Sequence, residues 1–323
     1  MADVMTAKDR AHGRNAHQPG HIPLKGVKDV LYRVYLSLNA DRVMLVAAGV
    51  TFYLLLAIFP AMAALVSVYG FVADPATIAS RIAFLAQVMP SDGLNIFLDQ
   101  LKALATEQRS ALSFGLVFGL LVAVWSANNG VKAMFEAMNI AYGEDEKRSF
   151  IRLNLVSLTF TLGALVAAVI LIVALGVIPA MIAFLSLGKE ADTLFRFLRW
   201  PLLLVLATFG ICLLYRYGPS REAAKMRWLT WGAALAALTW LLGSLGVTFY
   251  LSHVANYNAT YGTLGALVGF LFWTWISAII VIMGAELNAE LEHQTAIDST
   301  TGDPKPMGSR GAAVADTLGD TVS

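Results

Sequence analysis

Residues 153–188 read LNLVSLTFTLGALVAAVILIVALGVIPAMIAFLSLG, and this stretch contains no Asp, Glu, Lys or Arg. A helix needs about 20 mainly apolar residues to cross the hydrocarbon core of a membrane, so the stretch is longer than one crossing. Because proline ends or kinks a helix close to the residue before it, Pro179 predicts a division. The expected crossing covers 153–178, and Ala180–Leu187 is expected to form a short interfacial piece.

The composition of the whole chain agrees with a membrane protein. Of its 323 residues, 58% are hydrophobic and 14% are charged, and the mean hydropathy is +0.66. A soluble domain has about a quarter of its residues charged. The net charge of +1 gives no general attraction to nucleic acid. Cys212 is the single cysteine, so the chain cannot form an internal disulfide.

Six apolar stretches predict an all-α integral membrane protein that folds as a bundle of six transmembrane helices. The first stretch contains Pro60, a candidate hinge, because neighbouring helices of a bundle tolerate a kink. The expected spans cover about 43–73, 111–131, 153–178, 200–215, 228–252 and 263–285.

The distribution of Lys and Arg predicts that both termini lie in the cytoplasm. Connections on the cytoplasmic side of a membrane carry an excess of these residues. All but six of the 23 lysines and arginines lie in the leader, the second and fourth connections and the tail. The six on the opposite side are Arg81, Lys102, Arg109, Lys189, Arg196 and Arg199.

Three segments outside the spans have their own patterns. Apolar residues recur at helical spacing over 24–38, with lysines between them, which predicts an N-terminal amphipathic helix on the membrane surface. Two apolar stripes in 78–104, broken at Pro90–Gly93, predict an external helical hairpin. Small and polar residues predict a disordered cytoplasmic leader over 1–23 and a disordered cytoplasmic tail over 296–323. Residues 24–295 are then a single six-span membrane domain.

Several motifs, in this order along the chain, resemble the YihY/BrkB family of bacterial inner-membrane proteins, once labelled ribonuclease BN. The likeness covers roughly residues 25–295. The resemblance implies a six-helix protein of the cytoplasmic membrane without a settled biochemical activity, linked to serum resistance, whose ribonuclease label is widely regarded as a mistake. The motifs are AAGVTFYLLLAIFP (47–60), WSANNGVKAMFEAMNIAYGEDEKRS (125–149), YRYGPS (215–220), NYNATYGTLGA (256–266) and GAELNAELE (284–292).

Polar side chains in two spans are candidates for a transport path. Asn128 and Asn129 lie near the expected end of the second span. They either hydrogen-bond neighbouring helices, which is the favoured alternative, or line a path. Glu286, Asn288 and Glu290 close the sixth span. For the two glutamates we favour ion pairs with Lys132, Arg216 or Arg227 over a role in proton coupling. Glu286 is the one for which proton coupling is more plausible, since carboxyl groups within membranes often have functional roles.

The uncharged connection between the last two spans is the other candidate. Tyrosines suit the membrane boundary, and Asn and Gly suit a tight turn. The segment therefore either closes a turn or lines the mouth of a cavity, where irregular backbone is tolerated. Its candidate residues are Asn256, Tyr257, Asn258, Tyr261 and Gly262.

The chain offers no pattern typical of an enzyme. A nucleophile with its base, or clustered metal ligands, would be expected, and the acidic run Glu144–Glu146 has the character of a solvated loop. We therefore predict no catalytic residue, cofactor or metal site, and no nucleic-acid partner. The favoured function is transport or handling of a lipid or small molecule. The expected partners are membrane lipids and this substrate, and the protein could also form a homo-oligomer. The alternatives are a non-transporting envelope scaffold and, least favoured, a ribonuclease.

Overall fold

The computed structural model describes residues 6–70, 112–184, 188–253 and 265–322. Regular structure in these residues is helical, apart from one isolated bridge between Ala224 and Thr300. The all-helical prediction is confirmed over this part of the chain. The helices are α1 (Ala7–Ala11), α2 (Leu24–Ala40), α3 (Val43–Gly70), α4 (Leu112–Ala141), α5 (Phe150–Phe184), α6 (Gly188–Tyr217), α7 (Met226–His253), α8 (Gly265–His293) and α9 (Ala313–Asp316).

Several of these helices are long and apolar enough to cross a membrane. Four qualify by length and composition, namely Phe150–Leu171, Phe197–Tyr217, Met226–Leu251 and Leu267–His293. A fifth qualifies if α2 and the first half of α3, which meet at 61°, are counted as one bent span. The multi-span helical class is therefore confirmed, whereas the count of six spans stays a prediction. The external hairpin over 78–104 lies outside the described residues.

Pro179 does not end the helix in which it lies, whereas the limits of the third span, 153–178, stay a prediction. The helix α5 continues from Phe150 to Phe184, and Pro201 likewise lies inside α6. Proline removes one backbone hydrogen bond from a helix. Ending the helix inside a membrane would instead leave several backbone groups without partners, and each costs several kcal/mol there. Continuing the helix through the proline is therefore the cheaper solution.

The core of the bundle lies around α8. Buried small residues of α8, among them Ala278, Ala285 and Ala289, pack with Ala47 of α3 and Ala233 of α7. The helices α5 and α6 are peripheral and expose large apolar side chains along most of their length. These side chains include Leu155, Val166, Ile170, Leu202, Val205 and Phe209.

The helices α7 and α8 approach closely near the end of the bundle where both termini lie. A Cβ atom added to Gly284 would fall 2.8 Å from the carbonyl oxygen of Gly232 and against the hydroxyl of Tyr215. Further along the pair, each helix gives one indole to a serine of the other. Trp240 Nε1 donates to Ser277 Oγ at 2.9 Å, and Trp273 Nε1 donates to Ser244 Oγ at 3.1 Å. Small residues bring the backbones together, and the indole hydrogen bonds fix the register.

The leader and the tail differ from their prediction of disorder. We call residues 6–23, 142–149, 218–225 and 294–322 the terminal cap, because they pack together on one end of the bundle. Arg14 of the leader donates to the carbonyl oxygens of His293, Gln294 and Gly319. Arg310 of the tail is 4% exposed and donates to three further carbonyl oxygens, those of Lys305, Ala315 and Ala296.

Long-range polar contacts are the physical reason for this order. Segments poor in apolar residues cannot build a core of their own, but charge-assisted hydrogen bonds to another segment can hold them. Ala296 N donates to Arg14 O at 2.8 Å, and Ala313 N donates to Glu144 Oε1 at 2.7 Å. Such partners are far apart along the chain and leave no local signal in the sequence.

Candidate functional site

Glu286 and Asp41 face each other between α8 and the corner that joins α2 to α3. Glu286 is 2% exposed, and its carboxyl group lies against the carboxyl group of Asp41. Its Oε1 atom has no hydrogen-bond partner among the described residues. We call Asp41 and Glu286 the carboxyl pair. Sequence reasoning selected Glu286 and missed Asp41, whose position just after a surface helix carried no signal.

The corner before α3 is strained. Arg42, which follows Asp41, has φ 51°, in the left-handed region that costs a residue with a side chain roughly 1–2 kcal/mol. The chain turns by 61° here. Strain of this kind persists where surrounding contacts determine the conformation. Arg33 and Ser37 lie on the face of α2 that is turned toward the protein. Asp41 follows them at the same four-residue spacing, and the turn places it next to α8.

Glu290 pairs with a residue that sequence reasoning did not consider. Arg33 Nε donates to Glu290 Oε2 at 2.5 Å, and the side chains are 10% and 12% exposed. Arg33 also donates to Gln294 Oε1 at 2.7 Å. The prediction that Glu290 pairs with Lys132, Arg216 or Arg227 is wrong. Because α2 packs against α8, the guanidinium of Arg33 is the group that lies next to Glu290.

Asn288 points away from the carboxyl pair and joins α8 to α7. Its Nδ2 donates to Leu229 O at 2.9 Å, and its Oδ1 accepts from Gly232 N at 2.9 Å. The side chain is fully buried. Both halves of the amide are therefore used in helix packing, which favours a structural role for Asn288.

Asn128 and Asn129 lie on α4, about halfway along it. The helix α4 continues beyond the expected end of the span to Ala141, and the end of the span itself stays a prediction. Asn128 is buried, and its Oδ1 accepts from Thr161 Oγ1 of α5 at 3.4 Å; Asn129 is half-buried. The contact of Asn128 agrees with the helix-bonding alternative.

Other sequence candidates can be placed only in part. Pro60 lies inside α3, which continues to Gly70. The connection that carries Asn256, Tyr257, Asn258, Tyr261 and Gly262 lies outside the described residues, so the choice between a turn and a cavity mouth stays open.

A pocket of about 470 Å³ opens one helical turn away from the carboxyl pair. It lies between α2, the last turns of α8 and the end of the tail. Its lining includes Ser37 and Glu290, each one helical turn from a member of the carboxyl pair. The apolar lining residues include Tyr32 and Leu36, and Asp320 also lines the pocket. The volume is in the range of small-molecule sites, about 300–1,000 Å³.

The acidic run after α4 has a structural use. Glu144 is 8% exposed, accepts from Ala313 N and accepts from Lys147 Nζ at 2.6 Å. Glu146 accepts from Arg148 Nε at 2.7 Å and from Asn139 Nδ2 at 3.2 Å. The expectation of a solvated loop was therefore wrong for Glu144. Over the described ranges, no three His, Cys, Asp or Glu side chains lie close enough together to hold a metal ion.

The lowered pKa of Glu146 predicts that the stability of the protein depends on pH. Burial raises its pKa, but hydrogen bonds from Arg148 and Asn139 lower it further, to about 2 from the usual 4.5. Because the folded value lies below the unfolded one, the carboxylate stabilises the fold fully above about pH 4.5, and this stabilisation is lost as the pH falls toward 2. We expect Glu146→Gln to lower the melting temperature in detergent by about 2 °C at pH 7.

The difference between the wild type and this variant should shrink below pH 4.5. Asp145→Asn, at an exposed position in the same loop, is the matched control and should change the melting temperature little at any pH. If the melting temperature of Glu146→Gln stays below that of the wild type by the same amount down to low pH, the ionised form of Glu146 is not the stabilising form.

Comparison with known proteins places this arrangement among membrane proteins of bacteria. The model of the family described as virulence factor BrkB matches residues 34–308. A ribonuclease-like protein YfkH of Bacillus subtilis is 28% identical over 251 residues, 76% of this chain and 88% of that protein. UPF0761 membrane proteins of Rhodospirillum centenum and Prosthecochloris aestuarii are 29% and 27% identical, over 89% and 82% of this chain. The match spans 62% and 61% of the length of these two relatives. No solved structure matches the chain.

Proposed function

The chain belongs to the virulence factor BrkB family, and we propose that it moves or handles a lipid or another small amphiphile in the bacterial cytoplasmic membrane. The observation that carries the proposal is the pocket between α2, α8 and the tail. One part of its lining is apolar, with Tyr32 and Leu36, and the other part is polar, with Ser37 and Glu290. A pocket with both characters suits a ligand that has an apolar and a polar end.

The position of α2 supports a ligand that arrives from the membrane. Its inward face, which includes Val30 and Val34, packs on the protein. Its outward face is also apolar and exposed, with Lys25 and Lys28 beside it. We propose that this outward face lies in the headgroup region, as amphipathic helices with flanking lysines do. Its exposed apolar residues are Leu24, Leu31, Tyr32, Tyr35 and Leu36.

The proposal includes six spans and a terminal cap that lies in the cytoplasm. The excess of Lys and Arg in the leader, in the second and fourth connections and in the tail supports this orientation. The proposal does not include an enzyme. The peripheral helices α5 and α6, with their exposed apolar faces, leave room for lipid or for a second copy of the chain.

A scaffold that organises envelope partners is the second candidate. The ordered terminal cap favours it, because a fixed surface built from the leader and tail can bind a partner without a cost for ordering. The description of the family as a virulence factor fits either candidate. The ribonuclease label of one relative is least favoured here, because the carboxylate of Glu144 is already used by Ala313 and Lys147. RNA degradation by the purified protein, lost on substituting Glu144 or Asp145, would reverse this judgement.

Reconstitution into liposomes tests the proposal. Labelled lipids and small amphiphiles would be screened for movement, with and without a pH gradient. Leu36→Trp should fill the pocket and slow movement by about tenfold, the effect of 1.4 kcal/mol. Leu31→Trp is the matched control, because Leu31 lies on the same outward face of α2 and does not line the pocket. If nothing moves under any gradient, the scaffold is the better account.

A further inference from the structure

The carboxyl pair has a geometry that packing alone does not require. Glu286 is buried, and one of its two oxygens has no hydrogen-bond partner in the described part of the chain. The other side of the contact is a second carboxyl group, that of Asp41. Two acids in contact can hydrogen-bond each other only if one of them carries a proton. We propose that Asp41 and Glu286 form a proton-binding site, in which two carboxyl groups share one exchangeable proton.

The charged groups around the carboxyl pair indicate that a bound proton, and not an ion pair with a cationic side chain, neutralises it. From α8 itself, Glu290 faces the pair, but its charge is taken up by Arg33. From the segment after α4, the buried hydroxyl of Tyr142 lies within electrostatic range of Glu286. Arg42, beside Asp41, is exposed, and no salt bridge to either acid is formed within residues 6–70, 112–184, 188–253 and 265–322. Since like charges in contact cannot both ionise readily, the proton supplies the missing positive charge.

The pocket gives the pair a route to solvent. Ser37 lies one turn before Asp41 on the inward face of α2, and Glu290 lies one turn after Glu286 on α8. Both line the pocket. A proton can therefore reach the pair through the pocket by way of water and the Ser37 hydroxyl, without crossing the apolar core of the bundle.

The strained corner connects the proton to the backbone. Asp41 is joined directly to Arg42, which holds the left-handed conformation at the 61° turn. Loss of the shared proton would place two negative charges in contact, and their repulsion would push the corner away from α8. The site goes beyond the proposed transport function, because a proton can bind here whether or not any substrate moves.

Infrared spectroscopy of the protein in lipid nanodiscs tests the site without any substrate. Protonated carboxylic acids absorb separately from carboxylates, and the band would be followed from about pH 4 to about pH 10, the range that spans ordinary acids and perturbed ones. In the wild type we expect a band that persists above pH 6 and is lost in Glu286→Gln. In Asp41→Asn the midpoint of the titration should move to lower pH by about one unit or more, because the neighbouring negative charge that favours the protonated acid is gone.

Two controls separate the outcomes. Glu136→Gln, at an exposed position on α4, should leave the band unchanged. Replacing sodium by choline should also leave it unchanged; a midpoint that depends on sodium would show a sodium site and overturn the proposal. A band that is absent above pH 6, or insensitive to both Asp41→Asn and Glu286→Gln, would overturn it as well.

A chemical probe covers the case in which Glu286→Gln fails to fold. Dicyclohexylcarbodiimide modifies protonated carboxyl groups in apolar surroundings, and mass spectrometry locates the modified residue. In the wild type at neutral pH, the label should appear on Glu286 or Asp41 and not on Glu290, which is ion-paired with Arg33. Labelling of Glu290 alone, or of none of the three, would contradict a shared proton. A failed transport screen beside a positive titration would reject only the proposed function.

Discussion

Replacing Gly284 with leucine is expected to prevent the bundle from folding, and replacing it with alanine is expected to lower the free energy of unfolding by about 3 kcal/mol. A Cβ atom at this position would lie 2.8 Å from Ala236 Cβ and 2.8 Å from the carbonyl oxygen of Gly232, besides striking the Tyr215 hydroxyl. Overpacking of a core costs about 1–3 kcal/mol, and here backbone rather than a flexible side chain must move.

The fraction of monodisperse protein in detergent and its thermal melting would measure this effect. Gly246→Leu is the matched control, because Gly246 lies on α7 and a Cβ atom there meets nothing within 4 Å. Normal yield and melting for Gly284→Leu would show that α7 and α8 do not approach at Gly232. Gly269, also on α8, is less crowded, because the nearest atom to a Cβ placed there belongs to the flexible Leu251 side chain, at 3.4 Å.

Replacing Glu292 with glutamine is expected to lower the free energy of unfolding by about 3–5 kcal/mol, the usual cost of stranding one partner of a buried ion pair. Glu292 Oε2 lies 2.6 Å from Arg221 Nη2, and the side chains are 0% and 2% exposed. Ser299 Oγ donates to the same oxygen at 2.7 Å. Burial lowers the pKa of Arg221, and the charge and hydrogen bonds of Glu292 more than offset this. Removing the charge of Glu292 takes the compensation away, but an arginine guanidinium keeps its proton in proteins, so a buried charge is left without its partner.

A double variant separates the lost pair from lost packing. Arg221→Met combined with Glu292→Leu removes both charges and should recover a large part of the stability, since buried pairs are often replaceable by apolar groups. Arg227→Ala, at an exposed position near Arg221, is the control and should change stability by less than about 0.5 kcal/mol. If the double variant is no more stable than Glu292→Gln, stranded charge is not the cause. Denaturation in detergent would provide the free energies.

The helices could be predicted because a membrane imposes one length and one apolar composition on every crossing. Helix ends were predicted less well. The helix α4 continues ten residues beyond the predicted end of its span, at Val131, to Ala141, because hydropathy reports where a helix leaves the lipid and not where its hydrogen bonding stops.

The candidate site could be predicted only by half. Glu286 and Glu290 stood out as acids at the end of an apolar run, but their partners Asp41 and Arg33 did not. Arg33 is 257 residues away from Glu290 along the chain, and no local pattern reports a contact of that kind. The strained corner at Arg42 is equally invisible, since a left-handed arginine is imposed by its surroundings.

The terminal cap has a consequence for the order of events at the ribosome. Arg14 is made early, whereas Gly319, which accepts one of its hydrogen bonds, follows 305 residues later. At about 5–20 residues per second, the interval is roughly 15–60 s. During that time every membrane helix is synthesised before Arg14 can bind the carbonyl oxygen of Gly319. Closing the cap is therefore a step that follows the synthesis of Gly319, and a chain interrupted after α8 would carry its membrane helices without the tail residues that hold the cap together.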